Sequence, residues 1–182
     1  MNIFHQRFST GQVVDATGVT NSALQSWLKR DLIVGHKTSA RIEGGGSPGL
    51  HRGFSFHNVM EIALAKALAD IGLDLPNAFK AAMHFAHSGT SAPGADRPRM
   101  PGLPFDDRTS PCATLLCVAK DRARALPWVP GTDHTVIARH VLGNPLGWIT
   151  LQINPLFETV TGRLGHDDRD VLELAYGPVV PA

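Results

Sequence analysis

The sequence predicts an α+β fold in three parts: helices in the first half, a proline- and glycine-dense stretch in the middle, and strands with short helices in the last third. Three observations carry this. Apolar residues recur at helical spacing between residues 10 and 87. Pro93, Pro98, Pro101, Pro104 and Pro111 crowd residues 88–111 together with Gly89, Gly94 and Gly102. Runs rich in Val, Ile, Leu and Thr then follow in residues 112–153. Hydrophobic residues fill 43% of the 182 positions and charged ones only 18%, which supplies a core and argues against a disordered chain.

In chain order, residues 1–8 form a lead-in that places Phe8 under the first helix. Ser9 or Thr10 caps that helix over residues 11–16, and Val13, Val14 and Ala16 give its buried side. Gly18 takes the left-handed conformation that ends it, and Val19 plugs the gap to the next helix. Thr20 or Asn21 caps a second helix over residues 21–30. There Leu24, Trp27 and Leu28 fall at i, i+3 and i+4 as one apolar stripe. Its other face offers Asn21, Ser22, Gln25, Ser26, Lys29 and Arg30. Amides there can bond adenine bidentately, hydroxyls suit bases or phosphates, and the cations suit phosphate or guanine. An ordinary solvated helix face carries the same residue types.

Leu32, Ile33 and Val34 read as the start of a strand, with His36, Lys37 and Arg41 beyond them. Residues 43–49 read as a glycine-rich hairpin tip and residues 50–54 as the returning strand. Two short helices about a glycine turn, followed by a basic hairpin, have the order of a winged helix-turn-helix, whose wing lies along phosphates or reaches the minor groove. The net charge is only +1, but residues 1–56 hold six Lys/Arg against three Asp/Glu and residues 57–182 eleven against thirteen. The positive excess therefore lies where phosphate contacts are needed. Ser55 caps a helix over residues 56–71, with Val59, Ile62, Ala63, Ala65, Ala67, Leu68 and Ile71 on its apolar face and Gly72 as its stop. Leu75-Pro76 opens another, to His87, that buries Phe79, Ala82, Met83, Phe85 and Ala86. These two helices brace the winged module.

Thr17-Gly18-Val19-Thr20, Leu24, Trp27, Leu32-Ile33, Arg52, Phe54, Ser55, Asn58 and Val59 follow one familiar order and spacing. Over residues 8–87 the chain resembles the DNA-binding domain of the MerR family of transcriptional regulators. The resemblance implies a winged helix-turn-helix that reads the major groove with residues 20–30, and a phosphate-supporting role for Arg52 through the wing. Departures are visible. Gln25-Ser26-Trp27 stands where the family usually has Arg-Tyr-Tyr, Asp31 stands where it has a small residue, and no long dimerisation helix follows Phe85. Similar winged modules occur in phage excisionases and small terminase subunits.

Residues 88–111 read as an extended linker, with Arg97, Arg99 and Arg108 read as solvated charges ahead of the alternative that they touch nucleic acid. In residues 112–182, strands are expected over 113–119, 135–142 and 148–153, with a helical turn at 122–126 before Pro127. Asn154 caps a short helix to about Gly162 with Pro155 at its first position, and residues 167–176 form a last helix. This small α+β module matches no motif. It is assigned to dimerisation, to a protein partner or to a small-molecule effector, with Trp128 and Trp148 as pocket-lining candidates.

Other signals read as structural. Cys112 and Cys117 would project to opposite faces of one strand and cannot pair, which fits a reducing compartment. His84 and His87 have ligand spacing, but no cluster completes a metal site, and histidine suits a helix C-terminus by itself. His134, His140 and Asp133 are ordinary turn and edge residues, and no phosphate loop, nucleophile elbow or zinc-protease motif occurs. No secretory signal or membrane span is seen, so a cytoplasmic location is expected, with no cofactor.

The expectation is thus a sequence-specific regulator that binds double-stranded DNA, as a homodimer because one short helix reads few base pairs. Thr20, Asn21, Ser22, Gln25 and Ser26 would face the bases, and Lys29, Arg30, Lys37, Arg41 and Arg52 the phosphates. The alternatives are a phage-type packaging or recombination accessory factor, and an interaction adaptor that no longer binds DNA.

Overall fold

Helix α3 (Phe56–Asp70) is the member around which the other elements pack, and its sequence explains why. Ser55 and Asn58 form a reciprocal capping box at its start. Ten of its fifteen residues are buried, including Glu61, so its apolar surface is a ring and not a stripe, and it requires neighbours on every side. The computed structural model describes residues 2–34, 42–43, 52–91, 95, 97–109 and 112–179. Among them it is a mixed α+β fold of seven α-helices and a three-stranded antiparallel sheet, with one further two-stranded ladder. No helix among the described residues is long and apolar enough to cross a membrane.

The first half follows its local signals. Helix α1 (Thr10–Thr17) is capped by Ser9, which shares a capping box with Gln12, and Gly18 ends it at φ 68°. Helix α2 (Asn21–Lys29) is capped by Thr20 and buries Leu24, Trp27 and Leu28. The strand expected at residues 32–34 is not one. Asp31 turns left-handed at φ 58°, its N–H bonds the Leu28 carbonyl, and the Leu32 N–H bonds the Trp27 carbonyl at 3.1 Å. That double bond is a helix-terminating pattern usually built on glycine, and it spends Leu32 and Ile33 on closing α2 and filling the core. Strands β1 (Ile42–Glu43) and β2 (Gly53–Phe54) pair antiparallel, and Phe8 adds a bridge to Phe54 with bonds of 2.8 and 2.9 Å in the two directions. Of the hairpin tip expected at residues 43–49, Glu43 belongs to β1 and residues 44–49 lie outside the described residues. Helix α4 (Leu75–His87), capped by Asp74, packs along α3.

The middle stretch departs from the extended linker expected of it. Thr90 and Arg99 form a backbone bridge, Leu103 and Phe105 are buried, and the Phe105 N–H donates to Thr114 Oγ1 at 2.7 Å. The Tyr176 hydroxyl donates to the Pro104 carbonyl and accepts from the Met100 N–H; burial raises its pKa. Arg99 is fully buried, and Arg108 pairs with Asp106 at 2.8 Å, so neither is a solvated charge. Proline and glycine here shape a folded corner.

The sheet has the order β4-β3-β5, from β3 (Ala113–Ala119), β4 (Arg122–Trp128) and β5 (Ile149–Gln152). The helical turn expected at residues 122–126 is thus part of a strand, in which Arg122 and Arg124 face out and Ala123 and Ala125 face in. Pro127 is tolerated because β4 is an edge. Conversely, the strand expected over residues 135–142 is helix α5 (His134–Val141). Asp133 caps it through the Val136 N–H, and Ala138 and Leu142, one turn apart, pack on the back of the sheet. Helices α6 (Asn154–Arg163) and α7 (Asp168–Tyr176) complete the chain. Asn154 is the first residue of α6 and not its cap, because its Oδ1 accepts the Thr114 N–H at 2.7 Å.

One hydrophobic core runs through both halves. Leu116, Val118, Ala123 and Ala125 join it from the sheet, and Phe157 of α6 meets Phe56 of α3 edge to face at 6.4 Å. A second cluster lies on the opposite sheet face around Cys117, Leu126, Ala138 and Leu142. Cys112 packs on the first cluster and Cys117 in the second, with no disulfide between them. Phe157→Ala removes a fully buried ring from the junction, so urea denaturation followed by far-UV circular dichroism should show a loss of about 3–5 kcal/mol. A single transition is expected, because both halves share that core.

Candidate nucleic-acid interface

The outward face of α2 is built by the same residues that bury its inner face. With Leu24, Trp27 and Leu28 fixed inward, Asn21, Ser22, Ser26, Lys29 and Arg30 are exposed and Gln25 is half-buried at the edge. Trp27 sets the roll of the helix, since its ring meets Phe79 of α4 edge to face at 5.1 Å. Thr20 lies exposed at the start, where its Oγ1 accepts the Ala23 N–H and lies 3.1 Å from Ser22 Oγ.

A polar chain crosses this face. Arg52 Nη1 donates to Gln25 Oε1 at 2.8 Å, and Gln25 Nε2 donates to Asn21 Oδ1 at 3.3 Å. Arg52 enters β2, so its bond ties the strand to the helix face. Its Nε is buried with no acceptor among the described residues. Six of the expected site residues, Asn21, Ser22, Gln25, Ser26, Lys29 and Arg30, thus share one helix surface, with Thr20 at its cap and Arg52 beside it. Lys37 and Arg41 lie outside the described residues.

Two residues here escaped the sequence reading. Arg7 is exposed, and its side chain crosses β2, where a Cβ on Gly53 would stand 3.2 Å from Arg7 Cβ. The glycine permits that approach and adds a cation next to Arg52; the cue was its place directly before Phe8. Glu61 is the other. Fully buried in α3, it accepts the Val34 N–H at 3.1 and 3.3 Å on its two oxygens and lies 2.9 Å from His87 Nε2. Asn58 Nδ2 completes the clamp by donating to the Val34 carbonyl at 3.1 Å. Val34 is thereby anchored where the chain leaves α2 toward residues 35–41. A glutamate inside an apolar helix run was the available signal. His87 is used by this clamp and His84 is exposed, and no group of three or more potential metal ligands occurs among the described residues.

Trp128 and Trp148, expected near a pocket, lie at opposite ends of the sheet, Trp128 paired with Ala113 and Trp148 next to Ile149, which pairs with Val118. Trp128 is 42% exposed against His134, and Trp148 packs on the second cluster. No protein-family model matches the chain, and a search of curated proteins finds no match. Glu61→Ala should release the Val34 amide: hydrogen exchange at that position should accelerate at least about tenfold, well beyond exchange in the middle of α3.

Proposed function

We propose that the chain is a sequence-specific DNA-binding transcriptional regulator, with a MerR-like winged helix-turn-helix over residues 8–87. The observation that carries this reading is the α2 surface: a capped helix whose inner stripe is locked in the core and whose outer face holds only amides, hydroxyls and cations, flanked by Arg52 and Arg7. In this reading α2 enters the major groove. Asn21, Ser22, Gln25 and Ser26 meet base edges, and Lys29, Arg30, Arg52, Arg7 and the wing residues Lys37 and Arg41 meet phosphates.

The Arg52–Gln25 bond refines the readout. With Oε1 engaged by Arg52 and one Nε2 hydrogen directed at Asn21, Gln25 offers a donor suited to guanine or thymine oxygens. Bidentate reading of adenine uses the second lone pair of Oε1 and the free Nε2 hydrogen, and a phosphate that draws Arg52 away frees the side chain to turn toward the base. Groove entry and base preference are then coupled through one arginine.

Binding as a dimer on paired half-sites supplies the affinity that one short helix lacks. A second reading, an architectural accessory factor of the phage packaging or recombination type, is favoured by one feature: α4 ends at His87, Thr90 bridges back to Arg99, and the described residues among 88–109 contain no long helix. Genome-wide binding of the tagged protein separates the two. Sharp single promoter peaks support the regulator, clustered arrays the accessory factor, and no peaks together with no duplex binding refutes both.

On the best recovered site, fluorescence anisotropy should show affinity falling as salt rises. Arg52→Ala should weaken every duplex and reduce the slope of log K against log salt by about one, with any change of preference confined to the base pair that Gln25 reads. Gln25→Ala should relax preference at one base position by about 1–3 kcal/mol, and an unchanged sequence profile would remove Gln25 from base contact.

A further inference from the structure

Helix α5 is covered on one side only. Ala138 and Leu142 hold it to the sheet, with Ile137 and Val141 partly buried against the same cluster. Its opposite face carries Val136, 63% exposed, between Asp133 at the cap and Arg139 and His140 in the last turn, all of them exposed. Two further apolar side chains stand beside the helix ends. Trp128 lies against His134 at the start, with 5.6 Å between ring centres, and Leu146 is fully exposed past the C-terminal end. Trp128, Val136 and Leu146 are three of the seven large apolar side chains exposed among the described residues. That is more than single scattered residues would place around one short helix.

The face is complementary to itself. At about 100° and 1.5 Å per residue, Val136 lies on the side of the helix away from Ala138 and Leu142, with Asp133 about 4.5 Å before it and Arg139 about 4.5 Å after it. A two-fold axis at Val136, perpendicular to the helix, sets two copies antiparallel with Asp133 of each at the height of Arg139 of the other. Asp133 accepts the Val136 N–H through Oδ1, and a carboxylate that caps with one oxygen keeps a second for an ion pair. The same operation brings the two valines together at the centre, and Trp128 of one copy to the end where Leu146 of the other lies. An acid at the start and a base at the end also suit the dipole of a lone helix. The dipole has no need of an exposed valine between them, or of Trp128 and Leu146 beyond.

We propose that a second copy of this chain covers this face, α5 against α5 about a two-fold axis at Val136. The contact supplies the dimer on which the regulator reading rests, where no long helix follows α4 among the described residues. It is tested without DNA, so either reading can fail alone. An eight-residue helix is about 12 Å long, short for the ~800 Å² per partner of a standard interface. The free dimer is therefore weak, with a Kd of about 1–100 µM.

Sedimentation velocity of the full-length protein from about 1 to 300 µM should show a mass that rises from 19.5 kDa toward twice that value. Val136→Asp puts two carboxylates at the axis and should weaken association at least about tenfold. Its melting temperature when dilute should not change, because the side chain is exposed and an acid is welcome in the first turn of a helix. Arg139→Glu should weaken association comparably. In a Cys112→Ser background, Val136→Cys should link two copies on mild oxidation, whereas Glu158→Cys, exposed on α6, should not. A mass of 19.5 kDa at every concentration overturns the proposal. So does a dimer that Val136→Asp leaves intact, or equal crosslinking at the two introduced cysteines.

Discussion

A helix buried on every side over its first ten residues dictates the arrangement of this molecule. Helix α3 cannot lie on a surface, so α1, α4 and α6 all pack against it, and the sheet closes the same core from beyond α4. The orientation of α2 follows at one remove. Its tryptophan seats on α4, which seats on α3, and its outward face is whatever that seating leaves over. The surface offered to a partner is therefore fixed from within, by Trp27 and Phe79, more than by the polar residues that compose it.

Buried polar groups do complementary work. Glu61, Asn58, Arg99 and Thr114 each satisfy backbone groups of irregular segments: Val34 for the first two, the α4 end and residues 100–103 for Arg99, Phe105 for Thr114. Hydrophobic burial is indifferent to small slips, whereas an unmatched buried donor or acceptor costs about 1–3 kcal/mol. These four residues hence fix where the connecting segments lie, which the apolar core alone would leave loose.

What was legible in the sequence follows this division. Helices α1 to α4 were readable because caps, stops and periodicity agree: Ser9, Gly18, Thr20, Ser55 and Pro76 stand where local physics needs them. The outer face of α2 was readable for the same reason. Where tertiary context outweighs propensity, the reading failed. Thr135, Val136 and Ile137 have strand propensity, yet the Asp133 cap and the packing of Ala138 and Leu142 make them helical. Arg122 to Ala125 are good helix formers and form a strand because β3 offers them a partner. The folded corner at residues 97–109 was illegible because a fully buried arginine without an acidic partner has no sequence signature. Glu61 and Arg7 were missed because their partners are distant in sequence or set by backbone approach.

The continuity of the core also bears on how such a protein can change over time. Many regulators exchange their nucleic-acid-reading and sensing parts as cassettes, since each part closes its own core. Here Phe157 of α6 touches Phe56 of α3, and Leu103 and Phe105 are buried in the same core. A graft of the first half onto another chain would carry an open apolar wound along α3. On the proposed DNA-binding reading, new specificity is accordingly reached by exchanging side chains on the outside of α2, with the rest of the molecule inherited whole.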